Sequence, residues 1–330
     1  MSQKSCDSIK VVLEKHFAQI NVSIVNNISD IEAVVAIKPD LIFMGLKFVP
    51  TNESLGRNDP EKIWLSKYLD DNGIRYTGSD EFALNCELNK EVAKARIKSM
   101  GISTSPFFVT IEGQKILEEN IILNYPLFVK PSDRGGGLGI DENSVVHNFV
   151  DLLKRVDNIS KIHSSNSLVE EYLPGREFSV AIMKNSIDGE YVQMPIEIIA
   201  EPDNKGNTVL SSATKALNEE VVVIVKDLCM NRLISEFAQN VFNALGAEDY
   251  GRIDIRLDVH GRPMFLEANL LPSLLSNYGN FPKACSLYLG MNHEAMILEI
   301  VKLGLGKEIL PVYSKYNDFQ PVIEELLLPI

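Results

Sequence analysis

At 330 residues, with 45% hydrophobic and 23% charged side chains, the chain has the composition of a folded protein and is too long for one ordinary core, so two or three lobes are implied. A formal net charge of −13 excludes nucleic acid as the main partner, because neutralising phosphates needs surplus Lys and Arg, though a local basic site for a small phosphate ligand is compatible with it. No uncharged apolar run approaches the roughly 18 residues of a membrane span, the opening MSQKSCDSIK carries no secretory signal, and the scattered Cys6, Cys86, Cys229 and Cys285 point to free thiols in a reducing cytoplasm rather than to zinc or redox chemistry.

The N-terminal stretch alternates helix and strand patterns. Ile9, Val12, Leu13, His16 and Phe17 recur at helical spacing; Asn21 to Val25 and Asp40 to Met44 read as short buried strands. Glu61 to Asn72 reads as a helix stopped by Gly73, and the segment KEVAKARIKSM as a helix capped by Asn89 and ended by Gly101. Strands are expected at Pro106 to Thr110 and Pro126 to Lys130, then a glycine-rich loop from Arg134 to Gly139 and a helix from Ser144 to about Val156. Further strands follow at Ser167 to Leu173, Glu177 to Met183 and Val192 to Ile199. The polar stretch 200–218 has no pattern of its own, and a loop that long inside a compact domain is usually functional or disordered. A helix from Glu219 to Leu245 then leads into two strands at 252–258 and 263–269. The class is α/β with α+β lobes, without internal repeats.

Three segments carry chemistry. Lys130 ends the apolar strand PLFVK, and Gly135, Gly136, Gly137 and Gly139 follow it. Glycines there remove the Cβ atoms that would hold backbone N–H groups away from a phosphate chain, and a lysine beside them adds a point charge. No GK[ST] follows, so this is not a Walker A loop. Taken alone it reads equally as a surface turn, just as Lys90 alone reads as a solvated lysine. The stretch SLVEEYLPGREFSV sets Glu170, Glu171 and Glu177 around a Pro-Gly turn, where an edge strand can present backbone groups to a purine and a carboxylate can accept from ribose hydroxyls; an ordinary strand-loop-strand surface fits it too.

The most informative segment is GRIDIRLDVHGRPMFLEANLLPSL, residues 251–274. His260-Gly261 reads as a two-residue hairpin turn with Val259 facing Arg262. Counting inward puts Asp254 opposite Glu267 and Arg252 opposite Asn269, all four on one face, with Ile253, Ile255, Leu266 and Ala268 on the other. Opposed residues have Cβ atoms about 5 Å apart, where like charges destabilise, so two carboxylates there require a cation. Asp, Glu and Asn oxygens are hard ligands suited to magnesium, and the adjacent arginine suits a phosphate or an oxyanion. A solvated polar hairpin face is the plainer alternative, but the apolar LLPSLL that follows argues that this end is buried.

In order and spacing, YTGS (76–79), NKEVAK (89–94), FVKPSDRGGGLGI (128–140), LVEEYLPGREFSV (168–180) and GRIDIRLD…FLEANLLPS (251–273) resemble the ATP-grasp superfamily, within it the D-alanine–D-alanine ligase branch. The resemblance implies an ATP-grasp fold with a small N-terminal α/β lobe over 1–88, a central lobe over 89–173 and a C-terminal lobe over 174–330. It implies an ADP-forming ligase that activates a carboxylate as an acyl phosphate and joins it to an amine. Lys90, Lys130 and Gly135 to Gly137 would contact the ATP phosphates, Glu170, Glu171 and Leu173 the adenine, and Glu177 the ribose. Asp254, Glu267 and Asn269 would hold two magnesium ions, for which manganese could substitute, and Arg252 would steady the tetrahedral intermediate. Lys215 would close over the phosphates, and homodimerisation is implied as well. Small acids and amines are the expected partners, with no membrane involved.

Three positions depart from the branch. The family's N-terminal glycine-rich loop, with its ammonium-gripping glutamate, is not found before the first helix. Gly136 and Gly137 stand where the family has paired serines, and SLLSNYGN replaces its serine-rich stretch. These departures favour an acid and amine other than two D-alanines. Rival readings are a thiol or bicarbonate acceptor, a genuine D-alanine–D-alanine ligase, and a nucleotide-binding regulator that does not turn over.

Overall fold

The computed structural model describes residues 1–202, 206–209, 221–276 and 278–308, and its strands form three antiparallel sheets with helices packed on them. The first part holds α1 (Gln3–Leu13), α2 (Ile28–Ala36), a ribbon of β1 (Phe48–Pro50) and β2 (Lys62–Trp64), α3 (Leu65–Asp71) and α4 (Glu81–Leu88). Their starts follow from local chemistry. Ser2 and Asp80 accept from the backbone N–H groups of Ser5 and Ala83, and Asn27 and Asp30 cap each other reciprocally.

Two strands expected in this part do not form. Residues 21–25 are irregular, with Val22 and Ile24 exposed and no neighbouring strand, and 40–44 contributes one bridge, Ile42 to Tyr76. The helix expected from Glu61 starts only at Leu65, because Lys62 to Trp64 pair with β1. Gly73 does end it: its φ is +65°, and Ile74 N–H reaches back to Leu69 C=O.

Helix α5 (Lys90–Ser99) is closed by Gly101 at φ +74°, while the Asn89 side chain turns back to Asn85 and makes no cap bond. Beyond it lie β3 (Phe107–Thr110), β4 (Leu127–Pro131), β5 (Val145–Val146), α6 (Phe149–His163) and β6 (Ser167–Glu171), with sheet order β3-β6-β4-β5. Helix α6 starts later than the expected Ser144. The β-branched pair Val145-Val146 joins the sheet beside Leu127 and Phe128, and Asn148 supplies the cap. Its buried face packs Leu152 and Ile159 against Leu127, Val129 and Val169.

The third sheet contains β7 (Glu177–Lys184), β8 (Tyr191–Ile199), β9 (Val221–Ile224), β10 (Tyr250–Leu257) and β11 (Pro263–Asn269), ordered β11-β10-β7-β8-β9. The helix expected from Glu219 is replaced by β9 and α7 (Leu228–Ala244), since the run VVVI favours a strand and Asp227 caps the helix only afterwards. Phe178, Val180 and Ile182 of β7 face α7. Ala181 and Met183 face the opposite layer, which α8 (Asn280–Leu289), α9 (His293–Leu305) and α1 complete. Ser179 shares that second face but lies beyond the helical cover, beside Asp254. This uncovered end, opposed by the four-stranded sheet, is where polar groups collect. Among the described residues no helix is long and apolar enough to cross a membrane.

Candidate active site

The hairpin of β10 and β11 sets Asp254 opposite Glu267 and Arg252 opposite Asn269, as counted from the sequence, but by a different route. The turn is longer than two residues. Leu257 pairs with Pro263, and Asp258 organises the loop by accepting from His260 and Arg262 N–H at 2.8 and 2.9 Å. That register alone would bring Leu266 opposite Asp254. A bulge between Asp254 and Ile255 on one strand and Phe265 and Glu267 on the other takes up Leu266 and restores the pairing. Phe265 therefore fills the core position expected for Leu266, and Leu266 lines the cleft.

Asp254 is buried and fully engaged. Its Oδ1 accepts from Ser179 Oγ at 2.7 Å and Arg252 Nε at 2.9 Å, and its Oδ2 from Arg252 Nη2 at 2.8 Å and Asn269 Nδ2 at 3.1 Å. The Arg252 guanidinium supplies the positive charge that two opposed carboxylates require. The donor set fits a divalent cation: Asp254, Glu267 and Asn269 offer hard oxygens from adjacent positions of one hairpin, and a ±180° turn of the Asn269 amide presents its oxygen. Arg252 would have to release Asp254 on metal entry.

Facing the hairpin is a cleft lined by Phe128, Lys130, Ile140, Glu170, Glu171, Tyr172, Leu173, Glu177 and Val209, with Asp254, Arg256, Leu266 and Glu267 as its other wall. Of the residues that the sequence singles out, the cleft brings together Lys130, Glu170, Glu171, Leu173, Glu177, Asp254 and Glu267. Lys130 Nζ lies 2.7 Å from Glu170 Oε1, and Lys94 Nζ lies 2.7 Å from Glu170 Oε2, with side-chain exposures of 5%, 0% and 3% for Lys130, Lys94 and Glu170. Burial alone would raise the Glu170 pKa, but the two ammonium groups outweigh it and hold the carboxyl below its ordinary value. Glu177 pairs with Arg256 Nη1 at 3.3 Å. The Glu171 side chain turns to Asn124, and its backbone N–H and C=O engage Pro106 and Ser105.

The glycine-rich loop is held from behind. Arg155 donates to Gly139 C=O, to Asp141 at 3.0 Å and to Ser144 Oγ at 2.8 Å. Arg134 turns away from the cleft to His163 C=O at 2.6 Å and Asn58 at 2.7 Å. Gly136 and Gly137 adopt φ of +68° and +78°, and a Cβ on Gly135 or Gly136 would meet nothing within 4 Å, so their backbone faces open space. Lys90 is buried and donates to Arg134 C=O, and burial lowers its pKa.

Beside it, Glu91 has an oxygen without a hydrogen-bond partner among the described residues, and burial pushes its carboxyl up to about 7 from 4.5. Between those values the unfolded chain gives up a proton that the folded chain keeps. Glu91 therefore destabilises the fold progressively as pH rises through 7. Glu91→Gln should gain about 3 kcal/mol at pH 8 and almost nothing at pH 4, as read by urea unfolding at both values; equal effects at the two would refute the raised carboxyl.

Lys215 lies outside the described residues. Sequence reasoning missed Lys94, Phe128, Arg256 and Leu266. Simple spacing could have found three of them: Lys94 follows Lys90 by one helical turn, Phe128 precedes Lys130 by two strand positions, and Arg256 follows Asp254 by two. Leu266 could not be found so, because nothing in the sequence marks the bulge.

Residues 97–302 match the family model for the D-ala D-ala ligase C-terminus. The D-alanine–D-alanine ligase of Aquifex aeolicus is 29% identical over 252 residues, covering 73% of this chain and 75% of that protein. The crystal structure of the D-alanine–D-alanine ligase from Bacillus anthracis complexed with ATP shares the fold, with a TM-score of 0.69, 18% identity, and coverage of 92% of this chain and 91% of that one. So does the VanG D-Ala:D-Ser ligase from Enterococcus faecalis, with a TM-score of 0.59, 21% identity and coverage of 80% and 72%.

Proposed function

The chain belongs to the D-ala D-ala ligase C-terminus family and is an ATP-grasp carbon–nitrogen ligase; from that premise we propose that it uses ATP and magnesium to join a small carboxylic acid to an amine other than two D-alanines. The observation that carries the reading is the opposition of Asp254 and Glu267, with Asn269 beside them, on the wall of the cleft that also holds Lys130 and Glu177. In the proposed assignment, Lys90, Lys130 and the Gly135–Gly137 backbone take the phosphates. Glu170, Glu171 and Leu173 border the base, Glu177 takes the ribose, and Lys215 closes over the phosphates. Magnesium bound by Asp254, Glu267 and Asn269 would offset charge on the phosphoryl oxygens.

A substrate carboxylate oxygen attacks the γ-phosphorus, the bond to the bridging oxygen breaks, and ADP leaves. The amine nitrogen then attacks the acyl carbon, phosphate departs, and the amine gives up its extra proton. In this reading Arg252, freed from Asp254, would steady the oxyanion of the tetrahedral intermediate. No Ser, Cys or His nucleophile is required.

The substrate positions support an acid and amine of other chemistry. Gly136 and Gly137 offer no hydroxyl where the resemblance places serines, Tyr278 is exposed, and Asn280 is buried with an unpartnered Oδ1 among the described residues. A site built for a charged group rejects mismatched partners strongly, because a buried unpaired charge is costly. ADP release at millimolar D-alanine is therefore expected to be at least about tenfold below that with the best pair from a panel of L-amino acids, dipeptides and other carboxylates with amines. Robust formation of D-alanyl-D-alanine would establish the family's own reaction instead. Tight ATP binding with no turnover on any pair would favour a regulator.

A further inference from the structure

The proposed phosphate lysine, Lys130, is not free. Its ammonium is bound to Glu170 in a nearly solvent-free cluster, and a carboxylate in that place would compete with a triphosphate for it. The competition is settled by Lys94, the last residue of NKEVAK, to which the resemblance gives no role. Lys94 reaches Glu170 from the side away from the cleft. Its ammonium forms an ion pair with Glu170 Oε2 at 2.7 Å, donates to Thr104 Oγ1 at 2.6 Å and Phe265 C=O at 3.5 Å, and lies 5.5 Å from the Phe107 ring centre. Lys130 has Glu170 as its partner and borders the cleft; Lys94 does not border it. Lys94, Lys130 and Glu170 together carry one net positive charge, and of the two cations Lys130 is the one that borders the cleft, where Glu267 and Glu177 also act on it.

We infer that Lys94 is a positioning residue: as the permanent counter-ion of Glu170, it releases the Lys130 ammonium to an incoming nucleotide phosphate. The inference rests on the assignment of this cleft to ATP. Without Lys94, Glu170 would remain ionised only by keeping Lys130 to itself, and binding a phosphate would leave a buried carboxylate uncompensated. Lys94 also fixes the other wall. Its contact with Phe265 C=O lies next to the bulge that sets Glu267, so the nucleotide lysine and the carboxylate hairpin are braced by one side chain.

The protonation behaviour agrees with this division. Burial lowers the pKa of Lys94 despite Glu170, and Lys130 adds to the lowering. Burial acts the same way on Lys130, but Glu170, Glu267 and Glu177 together outweigh it and raise its pKa. The ammonium offered to the cleft is thus the one held firmly charged.

The test compares Mg-ATP and adenosine binding by calorimetry in the full-length chain and in Lys94→Met, Glu170→Gln and the double variant. Lys94→Met should bind ATP about 10- to 100-fold more weakly, the cost of one charge-assisted contact, and adenosine within about twofold of the unaltered chain. In the double variant no carboxylate captures Lys130, so ATP affinity should return to within about threefold of Glu170→Gln alone. A merely structural Lys94 would weaken adenosine equally, or give losses that add in the double variant, and either result would overturn the inference. Unchanged ATP affinity in Lys94→Met would overturn it while leaving the nucleotide cleft standing. Absence of ATP binding by the unaltered chain would instead overturn the cleft assignment itself. Should Lys94→Met not fold, the double variant against Glu170→Gln alone still reports, because the stranded Lys130 is common to both and only Lys94 differs.

Discussion

Replacing Glu267 by glutamine is expected to leave the chain folded and to slow ADP release by about a thousandfold or more, an added barrier of about 4 kcal/mol. The substitution keeps shape and strand pairing, and it removes one of two like charges set opposite each other on β10 and β11. Stability should therefore stay level or rise slightly while turnover collapses, since like charges at directly paired positions destabilise a sheet. Opposite signs in the two measurements separate a metal ligand from a structural carboxylate, whose loss would lower both. Thermal melting together with coupled ADP detection at saturating ATP and magnesium reads both quantities. Turnover within tenfold of the unaltered chain would remove Glu267 from the metal site.

Glu170→Ala is the largest expected effect on stability, a loss of about 3–5 kcal/mol, because it strands two buried ammonium groups at once. Glu170 sits in the middle of the four-stranded sheet, paired with Phe107 on one side and Phe128 on the other, so the cluster meets water only where Lys130 and Glu170 border the cleft. Lys94 is completely buried and, among the described residues, has the Thr104 hydroxyl and the Phe265 carbonyl left as acceptors. Urea unfolding would report the change as a lower midpoint at unchanged slope. A loss under about 1 kcal/mol would mean that the lysines are hydrated or uncharged in the variant, and that Glu170 does not hold the cluster together.

How far the sequence could be read depended on whether a feature was local. The closing glycines of α3 and α5 and the strands around 107–110, 127–131 and 177–199 are legible, because spacing and turn chemistry act over a few residues; the Asn89 cap expected for α5 does not form. Starts of elements were misplaced where a β-branched pair or run of four preceded a helix, as at Val145-Val146 and Val221 to Ile224; there a neighbouring strand, invisible to local reading, captured the backbone. The irregular stretch 21–25 shows the converse, a strand-like pattern with no partner. Of the residues lining the cleft, Lys130, Glu170, Glu177, Asp254 and Glu267 were singled out from the sequence, and so was the opposition of Asp254 and Glu267; their ion pairs were not. That Glu170 is shared between two lysines depends on α5, β4 and β6 meeting, which is tertiary information. Arg252 was legible as a phosphate or oxyanion group, but its bidentate hold on Asp254 was not.

The five-residue turn and the bulge at Leu266 together have a consequence of parity. Each displaces the pairing by one residue, and only their sum leaves Asp254 and Glu267 on the same face. The tip of the hairpin and its carboxylate end are thereby separately adjustable: the ladder between 255 and 257 can change phase at the tip without dictating the phase at Glu267. Such a joint lets the length of the exposed loop drift through single insertions or deletions, with the bulge forming or annealing to absorb them. A hairpin with unbroken pairing would have no such freedom, since any odd change at its tip would turn Glu267 into the core and bring an apolar neighbour to face Asp254.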